Sequence, residues 1–140
     1  MNLQDKRHVL DVIERFYRMW TTGDTSEVDT IVAPSYEQNP SQQEQPGRDT
    51  FPDVIKGFRT AFPDLNATIT HVLVDGDYVQ VRGEWTGTHA GELSGMPATG
   101  KKVSFVAFDL HRVENGLIAQ TWHLEDFNAI LTQLRSETAL

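Results

Sequence analysis

Val103-Ser104-Phe105-Val106-Ala107-Phe108-Asp109-Leu110-His111-Arg112-Val113, then Glu114-Asn115-Gly116, then Leu117-Ile118-Ala119-Gln120-Thr121-Trp122-His123-Leu124, is the stretch that settles the architecture. Both flanks are rich in β-branched and aromatic residues that alternate with polar ones, the pattern of half-buried strands. Asn115-Gly116 between them is a dipeptide that two-residue hairpin turns favour, because both central positions there need positive φ. Upstream, Thr68–Val74 and Tyr78–Trp85 repeat the pattern around Asp75-Gly76. Four strands joined by tight turns predict a mostly antiparallel sheet.

Ahead of Pro63 the period is helical. Between Asp5 and Trp20, Val9, Val12, Ile13, Phe16, Tyr17 and Trp20 fall on one face of a long helix that Gly23 ends. Asp24, with Glu27 three residues on, predicts the start of a short second helix carrying Val28, Ile31 and Val32 and stopped by Pro34. Tyr36–Pro40 reads as extended. A third helix is expected over Thr50–Ala61, with Pro52 in its first turn, where a missing N–H costs nothing, and Val54, Ile55, Phe58 and Phe62 along one side. Ile130, Leu131 and Leu134 suggest a short C-terminal helix from Phe127. Helices followed by hairpins form an α+β layout, with a cone-shaped curved sheet wrapped around the long N-terminal helix. The open mouth of such a cone is a default ligand site.

With 140 residues, 39% of them apolar, the chain fits one domain spanning 1–140. A formal charge of -8 argues against a nucleic-acid partner and against an anionic membrane surface, since both need a clustered basic face. A small, neutral, largely apolar ligand fits better. Cysteine is absent, so no disulfide, thiolate metal site or cysteine nucleophile is available. No signal-peptide core or apolar run near the roughly 20 residues of a membrane span is evident, and a cytoplasmic location is expected. Gly95-Met96-Pro97-Ala98-Thr99-Gly100-Lys101 has P-loop spacing, but Lys102 stands where a hydroxyl residue belongs and a strand follows instead of a helix. His71, His89, His111 and His123 lie on separate strands and loops without a His-Glu-x-x-His pair, so no metal is expected.

Phe62-Pro63-Asp64-Leu65, Gly87-Thr88-His89-Ala90-Gly91-Glu92, Pro97-Ala98-Thr99-Gly100-Lys101-Lys102-Val103, and Asn115-Gly116-Leu117-Ile118 with Trp122 and Asp126 resemble, in order, the landmarks of SnoaL-like polyketide (ester) cyclases. The resemblance runs from about residue 9 to residue 134. It implies a barrel of the nuclear-transport-factor-2 type, commonly a homodimer, with a hydrophobic pocket in which an aspartate closes a ring on a polyketide ester by aldol chemistry without a cofactor. By its place in Trp-x-x-x-Asp, that aspartate resembles Asp126. One departure is Tyr36-Glu37-Gln38-Asn39-Pro40, where many relatives carry a histidine and Gln38 cannot exchange a proton at neutral pH.

The residues themselves support the same candidates. Asp126 and Trp122, four apart at a strand end, share a face if the strand is regular, which places a carboxylate beside an aromatic wall. Burial there would raise its pKa towards that of a general base. Its alternative role is to cap the helix starting at Phe127, and an outward-turned Asp126 would favour a non-catalytic small-molecule binder or dimerisation module. His111 could donate to a substrate carbonyl or to Asp126. His89 sits in a glycine-rich rim that could cover the mouth. Phe16 and Trp122 are expected as pocket walls, with Trp122 inward and therefore His123 outward. Tyr36 and Asn39 are candidate substrate contacts, and Asp109, with the parity of His111, is a candidate supporting partner. The substrate expected is a small apolar or aromatic carbonyl compound. A third reading, a steroid-isomerase-like proton shift, needs a second donor such as Tyr17, Tyr36 or Tyr78 deep in the pocket.

Overall fold

Asn2 opens helix α1 (Leu3–Thr22), its side chain accepting the Asp5 N–H at 2.8 Å, and Gly23 closes it at φ 77° with its N–H on the Met19 carbonyl. The computed structural model describes residues 2–136. Val9, Val12, Ile13, Phe16, Tyr17, Met19 and Trp20 are buried along one face of α1, as the spacing predicts. Fully burying a large apolar side chain stabilises by about 1.5–3 kcal/mol, so this face is a principal source of cohesion.

The second helix expected after Asp24 is a single 3-10 turn at Val28–Thr30. Asp24 accepts the Ser26 N–H at 2.9 Å and makes a local turn in place of a helix cap. Val32 and Pro34 belong to strand β1 (Val32–Asn39), which pairs parallel with the strand Leu117–Glu125. Sheet pairing of Ile31 and Val32, including Ile118 N–H to the Ile31 carbonyl at 3.0 Å, outweighs the local helix signal. A second 3-10 turn, Arg48–Thr50, leads into α2 (Phe51–Ala61), which carries Pro52 in its first turn.

Strands β2 (Asn66–Asp75), β3 (Tyr78–Thr88), β4 (Lys102–Glu114) and β5 (Leu117–Glu125) are antiparallel neighbours, and the sheet order is β1-β5-β4-β3-β2. Helix α3 (Phe127–Arg135) follows and packs on β4. Asn115 (φ 52°) and Gly116 (φ 76°) form the predicted β4–β5 turn. In the β2–β3 hairpin, the residues between the Asp75–Tyr78 pair are Gly76 and Asp77, and only Gly76 has positive φ. The sheet curves around α1, with Val79, Val81, Trp85, Val103, Phe105, Ala107 and Ile118 buried against the helices. This is the α+β arrangement expected from the sequence.

The β4–β5 pair contains one irregularity with large consequences. Val113 faces Ile118, but Arg112 faces Gln120, so Ala119 is an extra residue in β5. A regular hairpin with the same turn would set Asp109 opposite Trp122. With the bulge, Asp109 faces His123 and His111 faces Thr121. Every β5 side chain beyond Ala119 therefore swaps face.

Candidate active site

The interior of the cone holds a small cavity that opens to solvent. Phe16 and Trp20 from α1, Phe58 from α2, Trp85 from β3, and Phe105 and Ala107 from β4 form its apolar wall. The rings interlock: Trp85 and Phe105 stack at 6.0 Å, and Trp20 meets Trp85 edge-on at 5.7 Å. Polar groups gather on one side: Gln38 and Gln42 from β1 and the loop after it, Asp109 from β4, and Thr121, His123 and Glu125 from β5.

Asp109 is the carboxylate this cavity buries, at 7% exposure. Burial pushes its pKa up to about 6; the Tyr17 hydrogen bond and the His123 charge oppose that shift, and the Glu125 charge adds to it. Tyr17 Oη donates to Asp109 Oδ2 at 2.6 Å. The other oxygen, Oδ1, is left for the cavity. His123, directly across the strand pair, has Nδ1 at 2.6 Å from Glu125 Oε1 and Nε2 at 2.7 Å from the Pro40 carbonyl. Both neighbours are acceptors, so the geometry favours a ring with a proton on each nitrogen. Burial lowers the His123 pKa, but the Glu125 hydrogen bond and charge, the Pro40 carbonyl and the Asp109 charge outweigh it, and the net shift is upward. Gln38 Oε1 and Trp85 Nε1, on residues that line the cavity, are buried without a hydrogen-bond partner.

The predicted site residues divide. Phe16 and Asp109 line the cavity. Asp126 does not: it is exposed, and its Oδ1 accepts the Ala129 N–H at 3.0 Å as the N-cap of α3. Trp122 is half-buried on the outer face of the sheet, with its ring 6.4 Å from that of Tyr78, and His123 takes the inward position expected for Trp122. Both corrections follow from the Ala119 bulge and from the chain leaving the sheet after Glu125. Asn39, paired with Trp122, is exposed, and its neighbour Gln38 faces the cavity in its place. Tyr36 is fully buried beside Phe51 and donates to Thr121 Oγ1 at 2.8 Å, so it supports the site from behind. His111 is fully buried behind Asp109.

His89 is not a free rim group. Its Nδ1 lies 2.9 Å from Thr99 Oγ1, its ring packs 5.8 Å from Phe62, and its backbone N–H and C=O bond Lys101 and Gly100. The rim is thus pinned at its base. Trp20, Phe58, Trp85 and Phe105 also line the site; helical spacing had placed Trp20 and Phe58 on apolar faces, the alternation of β3 and β4 carried Trp85 and Phe105, and Glu125 turns inward with His123 through the Ala119 bulge. Among the described residues, no group of three or more His, Cys, Asp or Glu side chains is placed to hold a metal ion, and no helix is long and apolar enough to cross a membrane.

An α+β cone with an aromatic cavity and a buried carboxylate defines the class, and residues 10–134 match the model of the SnoaL-like polyketide cyclases. The chain belongs to that family. It is 30% identical over 120 residues to the nogalonic acid methyl ester cyclase of Streptomyces nogalater, covering 82% of this chain and 88% of that one. The aklanonic acid methyl ester cyclase DauD of Streptomyces sp. (strain C5) is 27% identical over 133 residues, with 89% of this chain and 80% of the relative covered. Among solved structures, TsrD from Streptomyces laurentii superposes with a TM-score of 0.86 at 26% identity, over 96% of this chain and 98% of that chain.

Proposed function

We propose that this protein is a cofactor-independent cyclase that acts on an apolar aromatic carbonyl compound, with Asp109 as the acid–base group. The observation that carries the reading is a carboxylate within the aromatic cavity whose pKa is pushed up to about 6, close to the value that makes a carboxylate a useful base near neutrality. Asp126 turned outward would by itself favour a non-catalytic binder; Asp109 restores the buried carboxylate that catalysis requires.

In this reading Asp109 Oδ1 removes a proton from the carbon beside a substrate carbonyl. The resulting enolate carbon attacks a second carbonyl of the same molecule, forming the ring C–C bond while that carbonyl's π electrons move to its oxygen. The alkoxide takes a proton from the protonated Asp109, which restores the carboxylate, or from His123, to which Asp109 then passes the proton it removed. Trp85 Nε1–H offers a donor to a developing enolate oxygen, and Gln38 Oε1 an acceptor to a substrate hydroxyl. The aromatic walls hold the flat ligand and exclude water. The relatives' names point to aklanonic acid and nogalonic acid methyl esters as the first substrates to try.

The experiment is turnover of such methyl esters, followed by absorbance, by the native chain and by Asp109→Asn. Loss of about 100- to 10,000-fold in the variant is expected. Thermal stabilisation by the ester without ring closure in the native chain would establish the binder, and undiminished turnover in the variant would remove Asp109 from the mechanism. The isomerase alternative lacks a free tyrosine donor: the Tyr17 and Tyr36 hydroxyls are committed to Asp109 and Thr121, and Tyr78 lies on the outer face.

We also infer a homodimer formed through the outer sheet face, where Phe108 is 50% and Leu124 74% exposed beside Trp122.

A further inference from the structure

Behind Asp109 a line of buried polar groups runs across α1, β4, β5 and β1. Tyr17 Oη stands 2.6 Å from Asp109 Oδ2 and 2.7 Å from His111 Nε2. His111 Nδ1 stands 2.8 Å from Thr121 Oγ1, which in turn lies 2.8 Å from Tyr36 Oη. All five side chains are buried.

Each link fixes the next. An ionised carboxylate only accepts, so the single Tyr17 hydroxyl proton goes to Asp109. Tyr17 oxygen then accepts, and His111 Nε2 must carry a hydrogen. Burial with no charged partner in contact keeps His111 neutral, its pKa pushed down to about 3, so Nδ1 is bare and accepts from the Thr121 hydroxyl. Thr121 has then spent its proton, and its oxygen accepts from Tyr36. Burial holds both phenols protonated, Asp109's charge adding to the effect, so each remains a donor. Tyr36 heads the line and Asp109 ends it, with all four hydrogen bonds pointing the same way.

We propose that Tyr36, Thr121, His111 and Tyr17 form a one-directional hydrogen-bond chain that orients Asp109 and stabilises its ionised form, with His111 a neutral Nε2–H positioning residue. This rests on the reading of Asp109 as the acid–base group. The chain holds Oδ2, so proton exchange with a ligand is confined to Oδ1. Its donors also offset part of the cost of burying the charge. The other ionisable groups facing Asp109 are His123 and Glu125 on β5; β3 presents Val81 opposite it, with nothing that titrates. His111, which the sequence offered as a donor to a substrate carbonyl or to Asp126, is thereby assigned to support.

The test needs no substrate. Nitrogen-15 NMR of uniformly labelled native protein reads the His111 tautomer, and carbon-13 NMR of the aspartate carboxyls reads the Asp109 titration in native protein and in Tyr17→Phe. The chain is supported by a neutral His111 protonated at Nε2 from about pH 5 to 8, together with an upward shift of the Asp109 titration when the Tyr17 hydroxyl is removed. An Nδ1–H or cationic His111 in that range overturns it, as does an Asp109 titration unmoved by Tyr17→Phe. Should that variant fail to fold, the native His111 spectrum alone decides. These signals stand whether or not Asp109→Asn abolishes turnover, so failure of the chain and failure of the base assignment are separate results.

Discussion

Asp109 and His123 stand opposite each other on adjacent strands because Ala119 is one residue too many for a regular β4–β5 ladder. The extra residue brings a raised-pKa carboxylate and a raised-pKa imidazole to one wall of the cavity. Groups of opposite charge preference, side by side in an apolar setting, are the pairing that acid–base chemistry needs.

Asp109 should make stability fall as pH rises. Its folded pKa of about 6 lies above the roughly 3.9 of an unfolded aspartate, so between these values the folded chain holds a proton that the unfolded chain has lost. Its contribution is full below about pH 4 and is lost through pH 6, a change of about 3 kcal/mol. His111 acts in the opposite sense: with its folded pKa at about 3, its contribution is full above about pH 6.5 and is lost as pH falls. Asp109→Asn removes only the first. In urea unfolding, the variant should gain on the native chain by more at about pH 7 than at about pH 4. An equal difference at both would mean that Asp109 titrates alike in the folded and unfolded chains.

Asp126→Ala should act on α3 alone. Loss of the Ala129 N–H bond should cost about 1 kcal/mol of stability, with turnover unchanged. A tenfold or greater fall in turnover by a folded variant, measured beside its urea midpoint, would bring Asp126 back into the mechanism.

Gly91→Ala should destabilise the base of the rim. An added Cβ would collide with the Thr60 backbone carbonyl at the end of α2, which no side-chain rotation can relieve. A loss of about 1–3 kcal/mol in urea unfolding is expected. An unchanged midpoint would show that the rim moves freely against α2.

Leu124→Glu should separate the proposed dimer without disturbing the cavity, since Leu124 is 74% exposed on the outer face. Sedimentation should show dimeric native protein and monomeric variant at equal concentration. A monomeric native chain would end that proposal.

The elements read well from the sequence wherever one local signal acted alone. The face of α1 from Val9 to Trp20, Pro52 opening α2, and Asn115-Gly116 at positive φ all appear where periodicity and turn chemistry put them. The segment after Asp24 read poorly, because its choice between helix and strand rested on Ile118, almost ninety residues away. The site was half legible. Asp109 and Phe16 were picked out, whereas Trp122 and Asp126 were assigned to the cavity by assuming unbroken alternation, and Asn39 was offered where its neighbour Gln38 faces inward.

Composition, helical period, alternation and turn dipeptides are properties of neighbouring residues, and they sufficed for an acidic α+β cone with an aromatic interior. Which side chains meet inside that cone was set by long-range pairing. A strand's faces repeat every two residues, so a single bulge at Ala119 exchanges Trp122 for His123, and no local pattern records it. The same holds for proton affinity: Asp109 and Asp126 are the same residue type, and burial against Trp85 and Phe105's cavity, on the one hand, and solvent at a helix end, on the other, make one a candidate base and the other a cap.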